Sequence, residues 1–414
     1  MSESKPYAVR GRIITPDSII VDGAVVIEAD TIVWMGESVA AQAAGWGAEV
    51  ATAESPTEGQ YLLPGLIDVH CHGGGGQSFP DAETLEDAMI AVWEHRLHGT
   101  TTMVGSLTTL SPQGLRRQGQ LLADLCDMGE LAGIHFEGPF IDRTRCGALD
   151  AENIQAPNPA LTRELLISTR GHTVSMTLAP EGKRAIGSGS VADVLIENGA
   201  IPSYGHTSAT STQMREAATY TREKLGLMPA EKRRCSRYTI THMFNGMEPL
   251  RSREPGPVLE CLSDAASGGC ILELIADGVH VHPDNVRNVF ELVGRDAIVL
   301  VTDAMAAAGM DDGEYVLGGQ KVIVAEGKTH LGTADGSPAG STAHLLDVVR
   351  TAWRDCKVPL IDAVYCATKQ GARILGDDTL GEIAAGKRAD LLVTDAELYP
   401  LAVYRQGIKI ASGE

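Results

Sequence analysis

Two histidines one residue apart, His70 and His72 in the run LLPGLIDVHCHGGGG, are the most chemically pointed feature of this chain. Side chains alternate along a strand, so an apolar strand running out into His-x-His presents both imidazoles on one face. Two neutral imidazoles side by side chelate a divalent metal. The glycines that follow permit a sharp turn and leave the site open to a substrate. The bland alternative is a buried strand ending in two solvated histidines. It loses weight because more candidate ligands recur downstream: Glu137 in HFEGPF, His206 in YGHTSAT and His242 in THMFNGM. Nitrogen and oxygen donors of this kind suit zinc or iron(II). Five ligands exceed what one tetrahedral ion with an open position needs. A carboxylate can bridge, so Glu137 between an ion on the HxH pair and an ion on the other two histidines is a consistent arrangement for two divalent ions.

Three more positions carry chemistry. Asp303, in VLVTDAM, is placed to move protons as a general base and acid, the alternative being a carboxylate that caps the next helix. His280, in ADGVHVHP, is placed to donate to a reacting carbonyl or to a sugar. Arg253, in RSREPG soon after His242, has the fork geometry that suits phosphate, and the backbone N–H groups at Asn245 and Gly246 add donors. Arg251 competes with it for that role, and a solvated surface ion pair is the plain alternative for either.

These residues need a scaffold. Apolar, strand-like runs alternate with helical patterns near Gly65–His70, Thr101–Ser106, Gly133–Phe136, Ser175–Ala179, Ile201–Gly205, Tyr238–His242, Cys270–Ala276 and Ala297–Val301. Helices are predicted between them, for example at Leu85–Leu97 and Leu115–Met128. Eight such repeats spell a TIM-type (β/α)8 barrel, in which chemistry gathers where the strands end. His70/His72, Glu137, His206, His242, His280 and Asp303 all fall at or just beyond predicted strand ends. Short strand patterns at both ends of the chain predict a small β-sandwich domain built from both termini: residues 1–61 and 381–414 around a barrel of residues 62–380. Gly313–Gly336 reads as a two-strand excursion after the eighth strand, and Thr221–Arg237 as a solvated helix or insertion.

Composition narrows the partners. A formal net charge of −20 argues against general nucleic-acid or anionic-membrane binding, so any positive potential for an anionic substrate must be local. The eight cysteines are scattered without a CxxC, which points to a reducing, cytoplasmic setting. Cys71 and Cys146 read as incidental thiols, with soft metal or redox contact as the alternative. The first residues carry no apolar leader pattern, and no run is long enough for a membrane span.

The strings PGLIDVHCHG, HFEGPF, TLAPE, GHTSAT, THMFNGM, REPG, ADGVHV, TDAM and AGST occur in one order across about residues 62–376. In this the chain resembles the N-acetylglucosamine-6-phosphate deacetylase family of the amidohydrolase superfamily; the closing GEIAAGKRADLLV is common to the wider superfamily. The resemblance implies Glu137, His206 and His242 as a shared metal site, with His70 and His72 matching members that hold a second ion, zinc first and iron or another transition metal as alternatives. It implies Arg253 with Asn245 and Gly246 for the phosphate, His280 for substrate contact, and Asp303 as catalytic aspartate. A homodimer in the cytoplasm, acting on a small phosphorylated amino sugar, is the expected setting. Activated water would attack the acetamide carbonyl, and Asp303 would take the water proton and return it to the amine. One departure stands out. Leu149, in CGALD, occupies a point where the family usually carries His or Gln able to touch substrate. Other amidohydrolases acting on cyclic amides or nucleobases, and a metal-free binding scaffold, are the rival readings; the first lack the REPG arginine beside THMFNGM, and the second would have lost ligands.

Overall fold

The computed structural model describes residues 5–332 and 338–412. Eight parallel strands form one sheet: Leu66–Cys71, Thr100–Leu107, Gly133–Phe140, Thr173–Leu178, Ile201–Tyr204, Tyr238–Ile240, Cys270–Leu274 and Ile298–Leu300. Neighbours in sequence are neighbours in the sheet. Each strand is buried along its whole length, which is why they read as continuous rather than alternating apolar runs. The sheet nearly closes on itself. Beyond the eighth strand a parallel bridge joins Cys71 to Ala304, the Asp303 N–H donates to the His70 carbonyl at 2.9 Å, and the His72 N–H donates to the Ala304 carbonyl at 2.7 Å. Those bonds draw Asp303 to the HxH pair.

The connecting helices start where their caps dictate. Leu85–Leu97 begins after Thr84, which forms a reciprocal capping box with Asp87. The next helix runs Pro112–Asp127, three residues earlier than periodicity suggests, because Ser111 accepts from the Gly114 N–H and Pro112 sits in the first turn. Ser211–Leu227 is a regular barrel helix, so the stretch expected as a solvated helix or insertion begins in mid-helix and is helical as far as Leu227. Thr221 there is buried, and its hydroxyl lies 2.6 Å from the Tyr204 hydroxyl.

The termini build one seven-stranded, mostly antiparallel sheet from Tyr7–Ile14, Ile19–Glu28, Thr31–Glu37, Tyr61–Pro64, Leu391–Thr394, Pro400–Arg405 and Ile408–Ser412. Tyr61–Pro64 pairs in this sheet, so the chain passes into the barrel at Gly65. A Cβ there would lie 2.2 Å from Thr101 Oγ1 and 3.0 Å from Asp390 Cβ, so only glycine fits.

The excursion after the eighth strand has three strands, not the two expected: Gly313–Leu317, Gln320–Ala325 and Lys328–Leu331. Two two-residue turns with positive φ at both positions make the difference. Gly318-Gly319 (φ 56° and 78°) is legible as a turn; Glu326-Gly327 (φ 53° and 70°) hides because glutamate rarely adopts that conformation. The end of the expected range, at Gly336, lies outside the described residues. Leu317, Val322, Val324 and Leu331 pack with Met305, Ala306 and Ala307 and so hold the excursion against the segment that follows Asp303.

Candidate active site

At the strand ends, polar side chains from five barrel strands converge. Glu137 is central and buried. Its Oε1 lies 2.8 Å from His206 Nε2 and 2.8 Å from His242 Nε2, while its Oε2 lies 3.1 Å from His72 Nε2. Asp303 Oδ1 stands 3.2 Å from His72 Nε2 and 3.5 Å from His70 Nε2. Two donor groups result, sharing Glu137: His70, His72, Glu137 and Asp303 in one, and Glu137, His206 and His242 in the other. Asp303, read from sequence as a base, thus also stands within ligand distance of the HxH group.

The imidazole tautomers are set from behind. His70 Nδ1–H donates to Glu273 Oε2 at 2.9 Å, His72 Nδ1–H to the Ser106 carbonyl at 3.2 Å, and His206 Nδ1–H to the Arg145 carbonyl at 2.7 Å. Each therefore turns its Nε2 lone pair into the site. His70 and His72 Nε2 are 3.1 Å apart, and His206 and His242 Nε2 are 2.9 Å apart. Lone pairs facing each other and facing carboxylate oxygens at these distances call for a cation between them, either protons or metal ions. Burial depresses the basicity of His70, but Asp303, Glu273 and Glu137 together raise it to about 10; the hydrogen bonds to Asp303 and Glu137 raise His72, against burial, to about 9. Burial works to raise Glu137, yet the hydrogen bonds and charges of the surrounding histidines hold it well below the usual carboxylate range. A nest of buried donors this hungry for positive charge, with tautomers preset for Nε2 ligation, fits divalent metal.

The backbone is strained at the same place. His206 (φ 47°), His242 (φ 25°) and Asp303 (φ 49°) all occupy the left-handed side, at a cost of order 1–3 kcal/mol each. Gly246 (φ 59°) lies against His206; a Cβ there would sit 2.8 Å from His206 Nδ1.

Above the donors is a cavity of about 240 Å³, lined among others by Asn245, Gly246, His280, Leu149, Leu317 and Gly340. His280 Nδ1–H donates to Asp277 Oδ2 at 2.7 Å, which leaves Nε2 for the cavity; burial works against its charged form, but the Asp277 carboxylate raises it overall. Leu149 is 6% exposed, so the wall at that point is apolar. Arg253 is exposed and does not line the cavity, and Arg251 is drawn to Glu248 and Glu254. The structure thus brings together every expected position except Arg253. Cys71 is buried with its Sγ 3.4 Å from His95 Nε2, outside both donor groups. Sequence reasoning missed Glu273 and Asp277. Both left a signal: a glutamate inside the otherwise apolar strand CILEL, and an aspartate three residues before His280.

Residues 61–410 match the amidohydrolase family model. An N-acetylglucosamine-6-phosphate deacetylase from Lysinibacillus sphaericus is 32% identical over 379 residues, covering 88% of this chain and 89% of its own. An N-acetylgalactosamine-6-phosphate deacetylase from Shewanella sp. is also 32% identical, over 84% of this chain and 82% of its own. Among solved structures, a mutant N-acetyl-D-glucosamine-6-phosphate deacetylase from Mycobacterium smegmatis, in complex with N-acetyl-D-glucosamine-6-phosphate, superposes with a TM-score of 0.84 at 32% identity, over 99% of this chain and 100% of that one.

Proposed function

The chain belongs to the amidohydrolase family, and on that footing we propose that it hydrolyses the acetamide of N-acetylglucosamine 6-phosphate to acetate and glucosamine 6-phosphate. The observation that carries the reading is Glu137, shared between two donor groups on the floor of the cavity. Glu137, His206 and His242 would hold one divalent ion, and His70 and His72, with Glu137 and Asp303, the second. Zinc is favoured by the donor set, with iron or another transition metal as the alternative. Bound there, the ions supply Lewis acidity that polarises the carbonyl and acidifies water.

The protein's own groups do the rest. Asp303 takes a proton from the attacking water and returns it to the nitrogen as the C–N bond breaks. One water is thereby divided between acetate and amine. His280, aligned by Asp277, presents Nε2 to the carbonyl oxygen or a sugar hydroxyl. Asn245 and Gly246 at the cavity wall, with Arg253 on the exposed segment that follows, read the 6-phosphate. The unpaired state of all eight cysteines supports a reducing, cytoplasmic setting, and no helix among the described residues is long and apolar enough to cross a membrane. The homodimer is carried over from the resemblance, for sedimentation to test. The division into a terminal unit, 1–61 with 381–414, and a barrel unit, 62–380, is read from the strand patterns at the two ends of the chain, and the pairing of Tyr61–Pro64 in the terminal sheet favours Gly65 for its first boundary.

A second reading, the C4 epimer N-acetylgalactosamine 6-phosphate as substrate, is favoured by the equal identity to a relative named for it. Acetate release by metal-replete protein from both epimers and from the unphosphorylated sugar decides the matter. Preference for the glucosamine epimer with a marked dependence on phosphate is expected. No release, or release indifferent to phosphate, overturns the proposal.

A further inference from the structure

Glu273 is a buried carboxylate that takes no part in the proton transfers above. It is 2% exposed, in the seventh barrel strand Cys270–Leu274, whose other members are Cys, Ile and Leu. Taking a carboxylate out of water costs several kcal/mol unless polar partners offset it. Its ion-pairing partner among the described residues is a histidine, not a lysine or arginine: Glu273 Oε2 accepts from His70 Nδ1–H at 2.9 Å. The same oxygen lies 3.3 Å from the His242 N–H, and the Glu273 main-chain carbonyl accepts from the Met243 N–H at 2.8 Å. One residue thus braces a histidine from each donor group. The bracing is unequal. For His242 it is a long contact to the backbone, whereas for His70 it reaches the ring and dictates which nitrogen carries the proton.

His70 also differs from its neighbours. His72 and His206 donate their Nδ1–H to neutral main-chain carbonyls, of Ser106 and Arg145. His70 alone donates to a carboxylate. A carboxylate behind an imidazole fixes its tautomer more firmly and makes the opposite nitrogen a better donor.

We propose that Glu273 is a positioning residue which holds His70 in its Nε2-ligating tautomer and so decides whether the HxH group retains its ion. The inference rests on the two-ion reading above. Replacing the carboxylate by an amide supplies the test, because Glu273→Gln keeps the shape while its NH2 can face His70 Nδ1. Where the NH2 takes that place the His70 proton moves to Nε2; where the amide oxygen does, Nε2 loses the basicity the carboxylate lent it, and in either case the HxH ion is held more weakly.

The experiment counts zinc in metal-replete wild type, Glu273→Gln and Glu273→Asp, follows its release into a chelator, and repeats the loading with Co²⁺ to read the d–d absorption. Wild type is expected to hold two ions. Glu273→Gln is expected to keep the ion of Glu137, His206 and His242 and to bind the HxH ion about 10–100-fold more weakly, the usual cost of removing such a partner. The cobalt spectrum should lose one of two components. Glu273→Asp, with the charge kept but set back by one methylene, should fall between. The retained ion reports that the variants are folded. Two ions held by Glu273→Gln with unchanged release would overturn the proposal while leaving the two-ion reading intact. Equal loss of both ions with a lowered melting temperature would overturn it too, making Glu273 a general prop. A wild type holding a single ion would remove the two-ion reading, and the proposal with it.

Discussion

Asp303→Asn separates chemistry from architecture at this site. The side chain stands at the closure of the barrel, where its own N–H bonds to the His70 carbonyl and its φ is 49°. Asparagine tolerates that left-handed conformation better than other residues, so the backbone should hold, whereas alanine would combine a chemical loss with a conformational one. The variant keeps an oxygen near His72, where the wild-type distance is 3.2 Å, but loses the charge and the capacity to accept a proton. If Asp303 shuttles the proton, kcat should fall by about 10²–10⁴, or about 2.7–5.5 kcal/mol of barrier. If it merely caps or hydrogen-bonds, the loss is about 0.5–2 kcal/mol, which is under ~30-fold. The two outcomes do not overlap. The assay is steady-state acetate release with saturating 6-phosphorylated substrate, run beside a zinc count on the same sample. A kcat within ~30-fold of wild type would remove Asp303 from the proton path. An inactive variant that has also lost an ion would recast it as chiefly a ligand, a role its proximity to His70 and His72 makes a fair competitor.

His70→Ala or His72→Ala should lower the ion count from two towards one, measured by metal analysis; an unchanged count would refute the HxH site. Arg253→Ala should lower kcat/KM for the phosphorylated sugar by about 10–100-fold, since a charged hydrogen bond is worth roughly 1.5–3 kcal/mol, and should spare the unphosphorylated sugar. Equal loss on both would turn attention to Arg251. Gly246→Ala should displace His206, because the new Cβ would meet Nδ1 at 2.8 Å in a backbone with φ 59°; the expected readout is at least ~10-fold weaker binding of the ion held with Glu137, and normal binding would show that the loop can yield. Outside both donor groups, His344 lies between Glu94 at 2.9 Å and Asp347 at 3.3 Å. Burial opposes its charge, but the two carboxylates raise it above 6.5, while Asp347, raised by burial but lowered more by His344, is held at about 2. The raised histidine stabilises the fold below its ordinary value and loses that effect as pH climbs through the raised one. The depressed carboxylate stabilises above 3.8 and loses its effect as pH falls towards 2. His344→Gln should therefore lower Tm more at pH 6 than at pH 9, and an equal loss at both would count against the ion pairs.

Much of this protein is legible in the chain because the relevant patterns are local. A strand is buried on both faces over a handful of consecutive residues, so GLIDVH, TVSMTL and CILELIA announce themselves without knowledge of their neighbours. Turn glycines and caps such as Thr84 and Ser111 mark the boundaries. In a barrel, chemistry collects where strands end, so His70, His72, Glu137, His206, His242 and Asp303 are candidates from position alone. What local pattern does not encode is how residues far apart in sequence meet once the sheet curls. The closing bonds between His70 and Asp303 put a presumed base inside a ligand group. The stagger of strands one and seven sets Glu273 behind His70, across 203 positions of sequence. The left-handed conformations of Glu326, His206 and His242 belong to residues whose own preferences run the other way, so they exist only because surrounding packing and hydrogen bonds hold them. Arg253 shows the converse: its motif is plain in the chain, yet whether a side chain reaches a cavity depends on the path of an exposed loop. The identities of the candidate groups were written in the sequence; their pairing, tautomers and shared carboxylate were decided by tertiary structure, because a hydrogen bond between distant strands depends on register and curvature that neither strand carries alone.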